Sequence, residues 1–232
     1  MVTKKVTKKT PNNQLQEKTV IQNPDVRVVQ KAYDLDLKYS CIMISPGSKL
    51  SKAAEIRNKV INALNLFGYL GFSVDIDKSF DDSSIIVYIE NQSKKILASA
   101  RVTFRANNKL PFEKGNTTSL THYDLKGTKY ADINSFVFSS FKALPMLFSA
   151  LGRLCEQNET KKCFCLCDEE NKRIKSLYLK AGFQFSVKYS DPIFFPTFGR
   201  KINGKLIPTN WKIMEMPKKL IEEYSLEFSK YL

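Results

Sequence analysis

Apolar residues in this chain recur at two periods, and the alternation between them lays out a series of strands and helices. A near-continuous apolar run at 38–45 (KYSCIMIS) predicts a strand, closed by Pro46 and Gly47. Ala53, Ile56, Val60, Ile61 and Leu64 then repeat at helical spacing, which predicts a helix over 49–66. A loop rich in aromatics and glycine follows at 67–72, and after it an acidic loop carrying Asp75, Asp77, Asp81 and Asp82. Strands at 84–90 and 96–105, joined by the polar turn 91–95, form a predicted hairpin. Residues 106–128, with Pro111, Gly115 and Gly127, read as a long loop, and loops of that length inside a domain are often functional. A strand at 130–138 leads into a helix at 142–157. Another strand, 162–167, leads into a helix at 169–180 that stops at Gly182, a residue suited to the left-handed backbone after a helix. A strand near 184–189, a hairpin turning near Asn203 and Gly204 into a strand at 208–216, and an amphipathic helix over 217–232 complete the pattern.

This order predicts an α/β (α+β) fold, a mixed sheet flanked by helices. A chain of 232 residues that is 43% hydrophobic has enough apolar surface for one core, expected over 31–232. Residues 1–30 are rich in Lys, Thr, Asn and Gln with little periodicity, so a basic, disordered extension is expected there. No apolar run approaches the roughly 20 residues of a membrane span, and no apolar stretch precedes a cleavage site, so the expected location is cytoplasmic.

The cysteines (Cys41, Cys155, Cys163, Cys165, Cys167) are odd in number and three alternate along one stretch, which fits packing thiols in a strand. With His122 the sole histidine, paired metal-binding spacings are missing and no metal site is expected. The net charge of +14 changes the picture more: residues 1–10 hold four lysines and no acid, and the rest of the chain is basic as well. Such a surface attracts phosphate-bearing partners: nucleic acid, coenzyme A, an acidic carrier protein or an anionic membrane. A merely solvated lysine-rich surface is the plain alternative.

The segment Leu177-Tyr178-Leu179-Lys180-Ala181-Gly182-Phe183 resembles the closing motif of the GCN5-related N-acetyltransferase (GNAT) superfamily, "LYxKxGF". The resemblance implies a mixed central sheet whose two central parallel strands splay to admit a pantetheine arm, and it gives Tyr178 the role of returning a proton to the leaving sulfur. Tyr178 as a packing residue is the alternative. Within the superfamily the front half is similar to acyl-homoserine-lactone synthases and long-chain N-acyl amino acid synthases. The counterparts here are Arg57, the aromatic loop Phe67, Tyr69 and Phe72, the aspartates Asp75, Asp77 and Asp81, and Arg101 in Ala98-Ser99-Ala100-Arg101-Val102. Two departures stand out. In Asp132-Ile133-Asn134-Ser135-Phe136 the acid and the aromatic match, but Ser135 replaces an arginine. Ser139-Ser140-Phe141-Lys142-Ala143-Leu144 lacks the glycines that hold the pyrophosphate of coenzyme A, leaving Ser140 and Lys142 to hold one phosphate.

Taken with that resemblance, the residues predict transfer of a fatty acyl group from an acyl carrier protein or coenzyme A thioester to a small amino-acid-type amine, with no permanently bound cofactor; an acetyl-coenzyme A acetyltransferase and a non-catalytic binding module for nucleic acid or membrane are the alternatives. Such a reaction needs a base for the amine and donors for the oxyanion. Asp132 is the leading base and requires a raised pKa. Glu113 is the second candidate, as base or acceptor ligand, against an exposed loop carboxylate. Arg57 and Arg101 either clamp an acceptor carboxylate or pair with the aspartates. Phe136, Phe138, Leu144, Met146, Leu147 and Phe148 either line an acyl tunnel or pack the core.

Overall fold

The computed structural model describes residues 28–45, 51–105, 109–117, 125 and 129–232. The first described element is a strand that crosses the expected boundary at residue 30: β1 (Val28–Asp34) pairs antiparallel with β2 (Tyr39–Ile44). The extension expected over 1–30 overlaps its first three residues, because the apolar residues of VVQKAYD come in adjacent pairs and show neither period. His122 and the lysines of 1–10 lie outside the described residues.

After β2 come α1 (Ser51–Leu66), the short β3 (Tyr69–Leu70) and α2 (Val74–Lys78). The acidic loop thus contains a turn of helix, started by Ser73, whose hydroxyl accepts the Ile76 N–H at 3.3 Å. Strands β4 (Ser84–Glu90) and β5 (Ile96–Phe104) form the predicted hairpin, and β6 (Asn116–Thr117) lies within the long loop. β7 (Tyr130–Phe138), α3 (Leu144–Gln157), β8 (Lys162–Asp168) and α4 (Lys172–Lys180) follow as two strand–helix units. The last part comprises β9 (Gln184–Phe185), β10 (Ile193–Phe194), β11 (Gly199–Ile202), β12 (Lys205–Pro208), β13 (Trp211–Met216) and α5 (Lys218–Phe228). Asn203 and Gly204, with φ +49° and +79°, make the tight turn between β11 and β12.

The main sheet runs β1-β2-β4-β5-β7-β8-β13-β10-β6, with β9 also on β13. Among the described residues every pairing in it is antiparallel except β7 with β8. α3 and α5 cover one face, and they meet closely: a Cβ on Gly152 would fall 2.3 Å from Tyr224 Cβ. α1 covers the other face, where Ala53 and Ile56 pack on Ile42, Ile44 and Ile86. β8 serves two cores by its period of two: Cys163, Cys165 and Cys167 face the cluster under α3, while Phe164 and Leu166 face an aromatic cluster with Tyr69 and Trp211. All five cysteines are free and buried, and burial pushes the thiols of Cys41, Cys163, Cys165 and Cys167 up, so they stay protonated packing groups. Among the described residues no helix is long and apolar enough to cross a membrane.

Candidate active site

β7 and β8 start as partners and then part. Their register runs Tyr130↔Lys162, Ala131↔Cys163, Asp132↔Phe164 and Ile133↔Cys165, and ends there, although both strands continue. On its other side β7 carries a bulge. The β5 ladder passes from Ser99↔Val137 to Arg101↔Asn134, so β7 has one residue more than β5 across that step. Ser135, at φ +51°, takes the strain of this bulge, and neither Ser135 nor Phe136 has a ladder partner on β5 or on β8. Both residues therefore stand outside the paired ladders at the point where the strands separate. A side chain as short as serine fits a left-handed position with less cost than the bulky residue the synthase resemblance anticipates.

A cavity of about 450 Å³ opens at this separation. Phe136, Phe138, Ile174 and Tyr178 line it at one end, and Leu64, Tyr69, Phe198 and Trp211 at the other, with Asp132 also in its wall. Phe198 stacks on Trp211 at 5.4 Å, and Phe136 on Phe148 at 5.8 Å, which fixes the aromatic walls at both ends.

Asp132 is 1% exposed. Its Oδ2 accepts the Phe112 N–H at 3.3 Å, and its Oδ1 is buried without a hydrogen-bond partner. Burial lifts its pKa to about 7; the Phe112 N–H and Arg101 oppose the rise and Glu113 adds to it. A carboxyl with one open oxygen and a pKa near neutrality is matched to taking a proton from an ammonium. Burial pushes the Tyr178 phenol well above its usual value, with Cys165, Cys167 and Asp132 adding to the effect, so the hydroxyl stays protonated.

Next to the cavity four charges form a closed cluster. Arg57 donates Nε–H to Asp77 at 2.8 Å and Nη2–H to both oxygens of Asp81 at 2.8 Å. Arg101 Nη2 lies 2.6 Å from Asp77 Oδ1, and its Nη1–H meets the Asp77 carbonyl at 3.0 Å. Both arginines are thus committed to aspartates, and the cluster ties α1 and α2 to β5. The alternative reading, a clamp for an acceptor carboxylate, finds the guanidinium donors already occupied.

No protein-family model and no curated protein matches the chain in sequence. Solved structures do match. FeeM, an N-acyl amino acid synthase from uncultured soil microbes, superposes with a TM-score of 0.55 at 12% identity, over 83% of this chain and 97% of its own. The spermidine N-acetyltransferase of Vibrio cholerae, solved with CoA and spermine, gives 0.50 at 12% identity, over 80% of this chain and 98% of its own. The chain has the GCN5-related N-acetyltransferase fold. The parting of β7 and β8 is where the GNAT resemblance placed the thioester slot.

On this GNAT scaffold Asp132, Tyr178, Phe136, Phe67, Arg101 and Asp77 come together around the cavity, with Arg57 behind them in the ion cluster. Four other residues named from the sequence sit elsewhere. Glu113 is held by Arg105 Nη1–H and by the Leu110 N–H at 2.6 Å, closing the turn that brings Phe112 to Asp132, so it is not free to act as base. Asp75 is exposed on α2. Ser140 spends its backbone N–H on the Leu97 carbonyl at 3.3 Å, and Lys142 is exposed; neither lines the cavity. Conversely, Arg173 lines it with its guanidinium 5.7 Å from the rings of Phe138 and Phe141. Asp168 lines it too, buried and bonded to the Tyr69 hydroxyl and to Arg200 Nε–H at 2.8 Å. The pairing of Asp168 with residues about 30 and 100 positions away left no local sequence signal.

Proposed function

We propose that this chain is an N-acyltransferase that moves a fatty acyl group from a thioester of acyl carrier protein or coenzyme A to the amine of an amino-acid-type acceptor. One observation carries the reading: a buried carboxyl with a free oxygen stands where two parallel strands part, in the wall of a cavity of about 450 Å³ lined mainly by apolar side chains. An acetyl group needs a small fraction of that space, and this favours the longer chain.

The thioester arm lies between β7 and β8, with its carbonyl at the bulge, where the N–H groups of Ser135 and Phe136 meet the developing oxyanion. Asp132 takes one proton from the acceptor ammonium, and the neutral amine nitrogen forms its bond to the carbonyl carbon. As the carbon–sulfur bond breaks, Tyr178 gives its proton to the departing sulfur and regains one from the newly bonded nitrogen, and Asp132 releases its proton to solvent. Arg173, in the cavity wall beside Phe138, holds the single phosphate of the pantetheine arm, in place of a glycine loop. Phe67 and the aromatic walls receive the acyl chain and the acceptor's side group.

The test is turnover of thioesters graded from acetyl to palmitoyl against a mixed amine panel, read by mass spectrometry. The expected result is kcat/KM rising roughly fourfold per methylene until the cavity is full. Turnover of acetyl-coenzyme A alone would replace this reading with that of an acetyltransferase. Well-folded protein that gives no product with any donor would sink both.

A further inference from the structure

The mouth of the cavity is rimmed by apolar side chains that face solvent. Leu66 and Phe67, at the end of α1, are 87% and 49% exposed, and Ile76 on α2 is 51% exposed; all three also line the cavity. The rim continues onto a second, small sheet. β11 pairs with β3 through Gly199↔Leu70 and Arg200↔Tyr69, and the Lys201 N–H then meets the Gly68 carbonyl at 2.7 Å. That register brings Ile202 abreast of Phe67. Across β11 and β12, Ile202 lies opposite Lys205 and Ile207 opposite Arg200, so Ile202, Lys205 and Ile207 share the sheet face on which Tyr69 and Arg200 reach Asp168. Ile202 and Ile207 are themselves 49% and 44% exposed.

Contiguous exposed apolar surface of this kind marks an interaction site. Its charged neighbours select the partner. Lys205 is exposed on the rim face of the hairpin and Lys78 on α2, while Asp75 is the exposed acid of that helix and Glu170 is taken by Arg200. Apolar side chains at a rim with lysines beside them, on a chain of net charge +14, match a bilayer of anionic lipid: the isoleucines and Phe67 enter the interface and the lysine stems leave their ammonium groups at the headgroups.

We propose that the rim formed by Leu66, Phe67, Ile76, Ile202 and Ile207 seats the chain on anionic lipid bilayers, with the cavity mouth facing the membrane. The inference goes beyond the acyltransferase reading and stands without it, because membrane seating is measured with no turnover.

The test is co-sedimentation of the full chain with phosphatidylglycerol–phosphatidylcholine vesicles and with phosphatidylcholine alone. Wild type is expected to partition onto the first and not the second. Ile202→Ser with Ile207→Ser is expected to lower the partition coefficient at least tenfold, since two isoleucines leave the interface, with the thermal transition unchanged. Lys78→Glu with Lys205→Glu is expected to lower it as well and to flatten its salt dependence. Absence of wild-type binding, or binding that neither double variant weakens, overturns the proposal. So does a pattern in which vesicles are never bound but both variants lose turnover only with a carrier-protein donor, which would make the rim a protein-docking face.

Discussion

Arg101 donates its Nε–H to Asn134 Oδ1 at 2.7 Å, and this bond joins the buried ion cluster to the strand that carries Asp132. Asn134 in turn donates to Thr103 Oγ1 at 3.0 Å and to the Asp132 carbonyl at 3.2 Å. The residue just before the bulge is therefore fixed from three directions, and the geometry of the proposed oxyanion donors depends on charges in α1 and α2.

The cluster should dominate local stability. Arg101 and Asp77 have side chains 5% and 7% exposed, so Arg101→Leu takes one of two arginines from a buried carboxylate and is expected to cost about 3–5 kcal/mol in urea denaturation. Arg57→Leu, with a side chain 14% exposed, is expected to cost less, about 1–3 kcal/mol. Equal losses would show that the cluster's energy does not follow burial.

Asp132→Asn keeps shape and removes the base. A fall in kcat/KM of roughly 10²–10⁴-fold with an unchanged circular dichroism spectrum is expected. In wild type, kcat/KM should climb about tenfold per pH unit below about 7 and level off above it, because the carboxylate form is the active one.

The same group makes stability pH-dependent. Its folded pKa, about 7, exceeds the value near 4 of an exposed aspartate, so between those limits the folded state binds more protons than the unfolded one. Its stabilising contribution is present at low pH and lost as pH rises through 7. Subtracting the Asp132→Asn stability curve from that of wild type should isolate this slope; a flat difference between pH 4 and 7 would contradict the burial of the carboxyl.

Tyr178→Phe removes a hydroxyl with no hydrogen-bond partner among the described residues and retains the ring that packs on Phe136 and Phe183. Thermal stability is expected to hold within about 0.5 kcal/mol, while kcat falls about 10²-fold. Loss of stability without loss of kcat would return Tyr178 to the core.

Arg200→Gln takes the guanidinium from Asp168, which is 2% exposed, and loosens the hairpin over the aromatic end of the cavity. A stability loss of about 2 kcal/mol is expected, together with a raised KM for the acceptor and an unmoved pH midpoint for kcat/KM. A shifted midpoint would contradict the assignment of the titration to Asp132.

Much of the scaffold was legible because local rules wrote it. Hydrophobic period placed β2, α1, β4, β5, β7, α3, β8 and α4, and Gly182, at φ +84°, stands at the predicted helix stop. β1 was not legible, since its apolar residues, Val28 with Val29 and Ala32 with Tyr33, come in adjacent pairs and do not alternate. The short α2 was hidden in a run of aspartates whose helix depends on a serine cap and on two arginines from other elements.

The sequence by itself determined the order of the main strands and helices and the basic charge, and it nominated Asp132 and Tyr178 for proton transfer, because periodicity and short motifs are properties of neighbours along the chain. Tertiary structure alone decided that β7 and β8 separate after Ile133, that Glu113 is spent on Arg105, and that Asp168, Tyr69 and Arg200 meet at the cavity wall. Those outcomes depend on long-range register and on the competition of buried charges for partners, and both exist only once distant segments pack.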